Sequence, residues 1–526
     1  MRKNFYFWLS ISLLVIVGVG CKSQTEQTKI AEQKDTNVQV IKQENANELY
    51  NLGMRYVNGD GVEKDVAKAV EYWRKAADQG NADALFYLGL CYEFGDGVEK
   101  NVTEAVKLYR NAAEQGNANA QYKICDCYAS GIGVGKDMAE AFKWCRKAAE
   151  NGNAVAQYAY GMCYMNGDGV EKDMTEAVKW IRKSAEQGWA DAQFVLGGCY
   201  YTGNGVAKDV AEGVKWCGKA AEQGDVEAQL LVAAFYEKGD GVEKDMAKAM
   251  EWYQKAAEQG NAQAQYKLGC HYFDGEGVSE DLSKAAEWWS KAAAQGNAES
   301  QGYLGMFYKI GLGGLPKDMP KAVEWWRKAA EQGDVRSQFE LGTCYFNGEG
   351  IEKNMTEATK WWGKAAEQGD AMAQYELGVC YASGEGVEIN MQKAIELWLK
   401  SAEQGYAAAQ YNLGMRYLRG RGIEQDMPKA VSWFQKAAEQ GVVDAQFNLG
   451  LCYANGAGVE KNMSKAVEWW RKCADQGDAA AQFYLGICYE NGEGAEKDMA
   501  KAIEWYRKAA EKGLPEAIKR LQELKP

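Results

Sequence analysis

Between Asn45 and Gly513 apolar residues return at helical spacing in short runs broken by glycine, and the whole pattern repeats about every 36 residues. There are thirteen copies, twelve of 36 residues and one of 37, with nothing between them. In residues 81–116 one run carries Ala84, Leu85, Leu88 and Tyr92, and a second carries Val102, Ala105, Leu108, Tyr109, Ala112 and Ala113. Each copy therefore predicts two helices joined by a turn. Neither helix pair can bury both of its faces alone, so neighbouring copies must stack and share a core, which predicts an all-α solenoid.

Numbering each repeat from its first residue, tyrosine stands at place 12 in all thirteen, from Tyr56 to Tyr489, and glycine at places 15, 17 and 36. The glycines mark turns. Place 21 is Asp or Asn throughout, as in Asp65, Asn101 and Asp137, and predicts an N-cap for the second helix. Place 36 glycine closes that helix, and ten repeats then open with Asn or Asp to cap the next one. Glycine also sits inside the first helix, at place 9, in eleven repeats. Its cost of about 1 kcal/mol relative to alanine predicts a close backbone approach there. Sixteen of the eighteen tryptophans lie at places 28 or 29, and they read as core and inter-repeat packing. The last segment, 514–526, has Leu514, Ile518 and Leu521 on one face and is expected to cap the array.

The N-terminus has a different logic. A basic start, Met1-Arg2-Lys3, precedes an apolar run from Phe5 to Val19 that is shorter than the roughly 20 residues of a membrane span. It reads as a signal peptide over residues 1–20, and Gly20-Cys21 resembles a bacterial lipobox, although Gly18 stands where leucine is usual. That resemblance implies acylation of Cys21, a membrane anchor through the N-terminal lipid, and a protein facing the periplasm or the exterior of a bacterial envelope. Residues 21–44 are then a polar tether without aromatic residues.

The repeat itself resembles a known family. Residues 479–513 contain Leu485-Gly486, the turn Tyr489, Gly492 and Gly494, the helix start Asp498, Lys501 and Ala502, and Trp505, Tyr506, Lys508, Ala509 and Ala510. These elements are similar to the Sel-one-like repeat, a longer relative of the tetratricopeptide repeat. The resemblance covers about nine-tenths of the chain over 45–513. It implies a right-handed α-solenoid acting as an adaptor or scaffold for protein complexes, with no reaction and no cofactor of its own.

Composition narrows the chemistry. The formal charge of −13 disfavours nucleic acid, which requires a basic face. A single histidine, His271, removes most schemes built on an imidazole base or several imidazole ligands, and it reads as a satisfied packing residue. The recurrent Gly-x-Gly-Val-x-Lys loops join helices and read as turns rather than phosphate cradles. Eight of fourteen cysteines share place 11, so equivalent copies are separated by a helix-packing distance of roughly 8–10 Å, too far for a bridge. They read as small buried packing residues, although an exported chain could oxidise them. Seven repeats pair Glu at place 27 with Lys at place 31, a surface pattern. Asn101, Asn354 and Asn462 stand in Asn-x-Ser/Thr triplets but are also cap residues.

What varies from copy to copy points to binding. Places 3, 7, 10 and 14 lie on one face of the first helix and vary together, and in the resembled family first helices line the inner curve. The candidate protein-binding residues on this stripe are Tyr87, Phe94, Met162, Leu231, Tyr303, Met306, Met415, Arg419 and Tyr484, with Arg421 completing a basic cluster around Arg416. The expected partner is a protein or peptide bound by a monomeric chain. A spacer without a dedicated ligand is the alternative, and an enzyme acting on cell-wall material would need two converging carboxylates in a pocket, for which no motif exists. The inserted residue within Gly311–Pro316 predicts a kink or gap between repeats seven and nine.

Overall fold

A computed structural model describes residues 45–524, so the signal segment 1–20, Cys21 and the tether 21–44 lie outside the described residues, as do Lys525 and Pro526 of the expected cap. Among the described residues there are 27 helices and no strands. The first 26 helices have thirteen residues each and form one pair per repeat; the last, Pro515–Glu523, lies in the segment expected to cap the array and packs on the second helix of the thirteenth repeat. The architecture is an all-α solenoid of helix-turn-helix repeats, as expected from the sequence. It falls into two compact bodies, one ending at Asn153 and the other starting at Ala154. Within each body every second helix packs on the first helix of its own repeat and on that of the next.

The helix ends sit where the sequence puts them. All thirteen place-21 residues cap their helices, as Asp245 does by accepting from the Lys248 N–H at 3.0 Å. The three Asn-x-Ser/Thr asparagines cap in the same way, Asn101 to Glu104 N–H, Asn354 to Glu357 N–H and Asn462 to Lys465 N–H. First helices end on place-15 glycine in the left-handed conformation, Gly275 at φ 71° being typical.

The core of each repeat is a contact between place 9 and place 29. Trp289 lies flat against the first helix, its indole N–H donating to the Tyr266 carbonyl oxygen at 3.2 Å. A Cβ added to Gly269 would come within 2.3 Å of that ring. The same geometry joins Gly53 to Trp73, Gly342 to Trp362, Gly378 to Trp398 and Gly450 to Trp470. This is why glycine is kept in the middle of a helix despite its intrinsic cost. The two tryptophan places have different roles. Place 29 is core, whereas most place-28 rings are half-buried and carry the place-31 lysine over one face, as Lys255 lies 3.9 Å from the Trp252 centroid.

A second contact links repeat to repeat. From the third copy onward place 5 is a buried glutamine, and within each body its amide ties neighbouring repeats. Gln193 Nε2 donates to the Ala185 carbonyl of the preceding repeat at 3.1 Å, and its Oε1 accepts from Gln223 Nε2 of its own repeat at 2.7 Å. This pattern recurs down to Gln446, which bonds to the Ala438 carbonyl and Gln476. It stops at Gln482, whose Oε1 has no hydrogen-bond partner because Lys512 replaces the usual place-35 glutamine.

The extra residue of the eighth repeat does not open the expected gap. Gln332 bonds to Gln301 at 2.8 Å and Gln338 reaches the Ala330 carbonyl at 3.1 Å, the distances found elsewhere. The insertion is absorbed in the turn, where Leu312 and Leu315 pack onto the cluster containing Ala285, Ala286 and Phe307. Asp318 N–H still donates to the Tyr308 carbonyl at 2.8 Å, so both helices keep their register.

Two glycines test the packing account against simple helix propensity. Gly269→Ala is expected to lower local stability by about 1–3 kcal/mol through overpacking on Trp289. Gly218, helical with open space around its would-be Cβ, should gain up to about 1 kcal/mol on substitution by alanine. Native-state hydrogen exchange of the fifth and seventh repeats would read both; equal effects would refute the packing account.

Candidate functional site

The variable stripe divides into side chains that hold repeats together and side chains that remain available. Place 7 belongs to the first group, contrary to its expected exposure. Tyr87 is half-buried and stacks on Trp73 of the preceding repeat at 5.2 Å, Tyr303 stacks on Trp289 at 4.3 Å, and Tyr484 lies 5.0 Å from Trp470. In these three junctions the ring at place 7 covers the indole of the preceding place 29; after Trp326, Trp362 and Trp398 place 7 is Glu340, Glu376 and Asn412 instead. Leu231, Met162, Met306 and Met415 are likewise half-buried and pack on the core clusters. Phe94, 54% exposed, and the exposed Arg419 and Arg421 remain as accessible candidates. Ile310 and Met372, at places 14 and 3, join them at 53% and 42% exposed.

Where place 29 is tyrosine, the next repeat answers with charge instead. Tyr253 OH donates to Glu237 Oε2 at 2.5 Å, and Lys267 of the following repeat pairs with the same carboxylate at 3.2 Å. Tyr109, Glu93 and Lys123 repeat this arrangement, and Tyr506, Glu490 and Arg520 fix the terminal helix. The pair Lys309 and Glu340 has the opposite polarity at 2.9 Å. Charges at places 13 and 7 thus serve the junctions.

His271 joins the Glu237 group but is not fully satisfied, a correction to the sequence reading. The imidazole is buried, 5.6 Å from the Tyr253 ring, and Nε2 has no hydrogen bond, with Glu237 Oε1 at 4.0 Å. Burial pulls its pKa down, with Lys267 acting the same way and Glu237, Glu276 and Asp274 opposing. Eleven of the thirteen described cysteines are buried, in line with the packing reading. Cys91, Cys127, Cys344, Cys380 and Cys488 are unpaired and buried, and burial pushes their thiols up to about 11 or 12. A thiol so raised is a poor nucleophile at neutral pH. Among the described residues no group of three or more His, Cys, Asp or Glu side chains is arranged to hold a metal ion. No described helix is long and apolar enough to cross a membrane.

The eleventh repeat departs from the common pattern at both ends of its first helix. Its first helix, Ala407–Arg419, begins at Tyr406 without a side-chain cap, and the next first helix begins at Val442, also uncapped. Each missing cap forgoes about 1 kcal/mol. Beside them lies an open cavity of about 630 Å³ lined by Tyr375, Tyr406, Ala408, Tyr411, Asn412 and Val442. Tyr375 and Tyr406 are 5.3 Å apart, and Asn412 Nδ2 donates to the Tyr375 hydroxyl at 3.2 Å. At the other end of the same helix are Arg416, which stacks 5.1 Å from the Trp398 centroid, and the exposed Arg419 and Arg421. The arginines stand out in the sequence and the cavity does not, although the loss of two successive cap residues signals it.

Acid should act on the sixth and seventh repeats in two steps. The unfolded chain binds a proton at histidine that buried His271 resists, so stability is lost as pH falls from about 6.5. Burial raises Glu237, but Tyr253 and Lys267 outweigh it and leave the carboxyl below its usual value, so its contribution is present above about pH 4.3 and lost on further acidification. His271→Cys, the usual residue at this place, should abolish the first step and keep the second. Hydrogen exchange across Ala262–Asp274, corrected for intrinsic rates, reads both; a first step unchanged in the variant would refute this assignment.

Relatives fit this architecture. A solved structure of a protective antigen present in uropathogenic Escherichia coli strains, displaying an SLR fold, is 38% identical over 87% of this chain and 97% of its own, with a TM-score of 0.76. A Sel1 repeat protein from Oxalobacter formigenes is 37% identical over 59% of this chain and 89% of its own, with a TM-score of 0.47. No curated protein matches the chain. The Sel1 repeat model matches thirteen consecutive segments, from 49–81 through 479–514, and proteins of this family generally serve as protein-interaction scaffolds. The chain belongs to the Sel1 repeat family.

Proposed function

We propose that this chain is an exported, lipid-anchored scaffold that binds a partner protein or peptide on its first helices and acts as an adaptor for envelope protein complexes, without turnover. The observation that carries the reading is the contrast within each repeat. Place-21 caps, glycines and buried glutamines are held nearly constant, while exposed side chains at places 3 and 14 change from Phe94 to Ile310, Met372 and Arg419. A fixed frame with a variable accessible face is the arrangement of a recognition surface. The basic start, apolar run and Gly20-Cys21 support export and acylation. The relation to a protective antigen of uropathogenic Escherichia coli fits a protein exposed outside the cytoplasm.

Anchoring and binding separate experimentally. In cells fed an alkyne fatty acid, the wild-type chain should take up label and fractionate with membranes, and Cys21→Ala should lose both; label retained in the variant would sink the anchor. A photoreactive residue at Phe94 or Arg419 should capture a discrete partner in intact cells while one at the outward Glu71 does not. Absent or equal capture at all three would mark a spacer instead.

A further inference from the structure

The eleventh repeat stands apart because the other twelve show what the frame requires. At place 16 eight repeats carry Asp or Glu, and this one carries Arg421; at place 14 five carry Asn, and this one carries Arg419. Place 11, cysteine in eight repeats, is Arg416. The three guanidinium groups have no carboxylate partner within ion-pair distance, in a chain whose net charge is −13 and many of whose lysines are paired. They lie close enough to repel: burial first, then Arg421 and Arg419, lowers the pKa of Arg416. Gly422, next to Arg421, packs on Met391 of the tenth repeat, and this brings the basic end beside the turn bearing Ile389, an apolar side chain 69% exposed where most repeats have lysine. At the opposite end of the helix the cap at place 1 is given up for Tyr406, which walls the cavity.

These departures share one helix and one purpose fits them. We propose that the eleventh repeat is the docking site for an extended acidic peptide segment of a partner protein, with an aromatic or large aliphatic side chain seated among Tyr375, Tyr406, Tyr411 and Val442 and its carboxylates on Arg419 and Arg421. This rests on the scaffold reading and names its partner chemistry. The thirteen-residue helix rises about 18 Å between its ends, the span of roughly six extended residues. Glu376 and Asp370 act on Tyr406 and disfavour a partner carboxylate there, whereas at Tyr411 the charge of Arg419 already opposes that of Asp444, so carboxylates are drawn toward the arginine end. Planar guanidinium groups match carboxylates in pairs, and the tyrosine cluster offers rigid apolar walls with hydroxyl edges.

The test returns this repeat to the pattern of its neighbours. Tyr406→Asn restores a cap, Arg419→Asn the asparagine of five repeats and Arg421→Glu the usual acid, so the triple variant should fold with a thermal midpoint at or above that of the wild type. Selection of a displayed random heptapeptide library on the full chain should enrich sequences with two or more Asp or Glu residues and an aromatic or large aliphatic residue four to six positions away. Fluorescein-labelled versions should bind the triple variant at least tenfold more weakly, with wild-type affinity falling as salt rises. Enriched peptides that bind both proteins equally would overturn this site and leave the scaffold reading standing. No enrichment would overturn it too, the photocrosslinking above deciding the scaffold separately. Loss of peptide enrichment combined with variant-sensitive binding to phosphatidylglycerol vesicles would overturn it in favour of a membrane contact.

Discussion

The buried amide of place 5 is the constraint on which the array depends. A primary amide removed from water must find partners for both its donor and its acceptor, and here they lie on different sides of a junction. Gln410 receives from Gln440 at 2.8 Å and gives to the Ala402 carbonyl of the repeat before it at 3.1 Å. Sliding one repeat along its neighbour, or tilting it, would strand a buried polar group. Apolar packing is tolerant of small displacements and a buried hydrogen bond is not, so wherever this amide is present it fixes how a repeat sits on its neighbour. The eighth repeat illustrates the division of labour: an added residue alters a turn, yet the amide on either side keeps its distances.

On this frame the remaining side chains have one of two employments. Residues near the indole or phenol of place 29 are taken up by the junction, either as rings, in Tyr303 over Trp289, or as charge, in Lys267 with Glu237. Residues further out, at places 3 and 14, meet solvent. A contact surface for another protein is therefore narrower than the variability of the sequence suggests, and it is concentrated where a repeat has given up stabilising features.

Much of this is legible in the sequence. Helix ends were written in Asp and Asn at place 21 and in glycine at places 15 and 36, because capping is local chemistry between residues two or three apart. Glycine at place 9 announced a close approach, which proved to be the ring of Trp289 or its equivalents. The role of Gln193 and its kin was not legible, since a glutamine in a helix is equally at home in water and only its neighbours in the next repeat reveal that it is buried. Place 7 misled for a related reason: variation at Tyr87 and Lys123 records matching to different partners, Trp73 in one case and Glu93 in the other. The gap expected at Gly311–Pro316 does not open because a turn can take up length without passing it to the helices.

The junctions also bear on how such a gene can change length. Wherever the joining groups are the same, unequal recombination that deletes or doubles one 36-residue segment reconnects equivalent partners, and the product folds as its parent did. Loss of the twelfth repeat would bring Phe434 against Tyr484, an apolar match of the ordinary kind. Loss of the seventh would set the Glu237 carboxylate against Tyr303 and leave it without Lys267. Charged junctions therefore act as genetic stops in an otherwise elastic array, so that copy number can drift in some stretches of the chain while the neighbours of Glu93, Glu237 and Lys309 stay fixed in order.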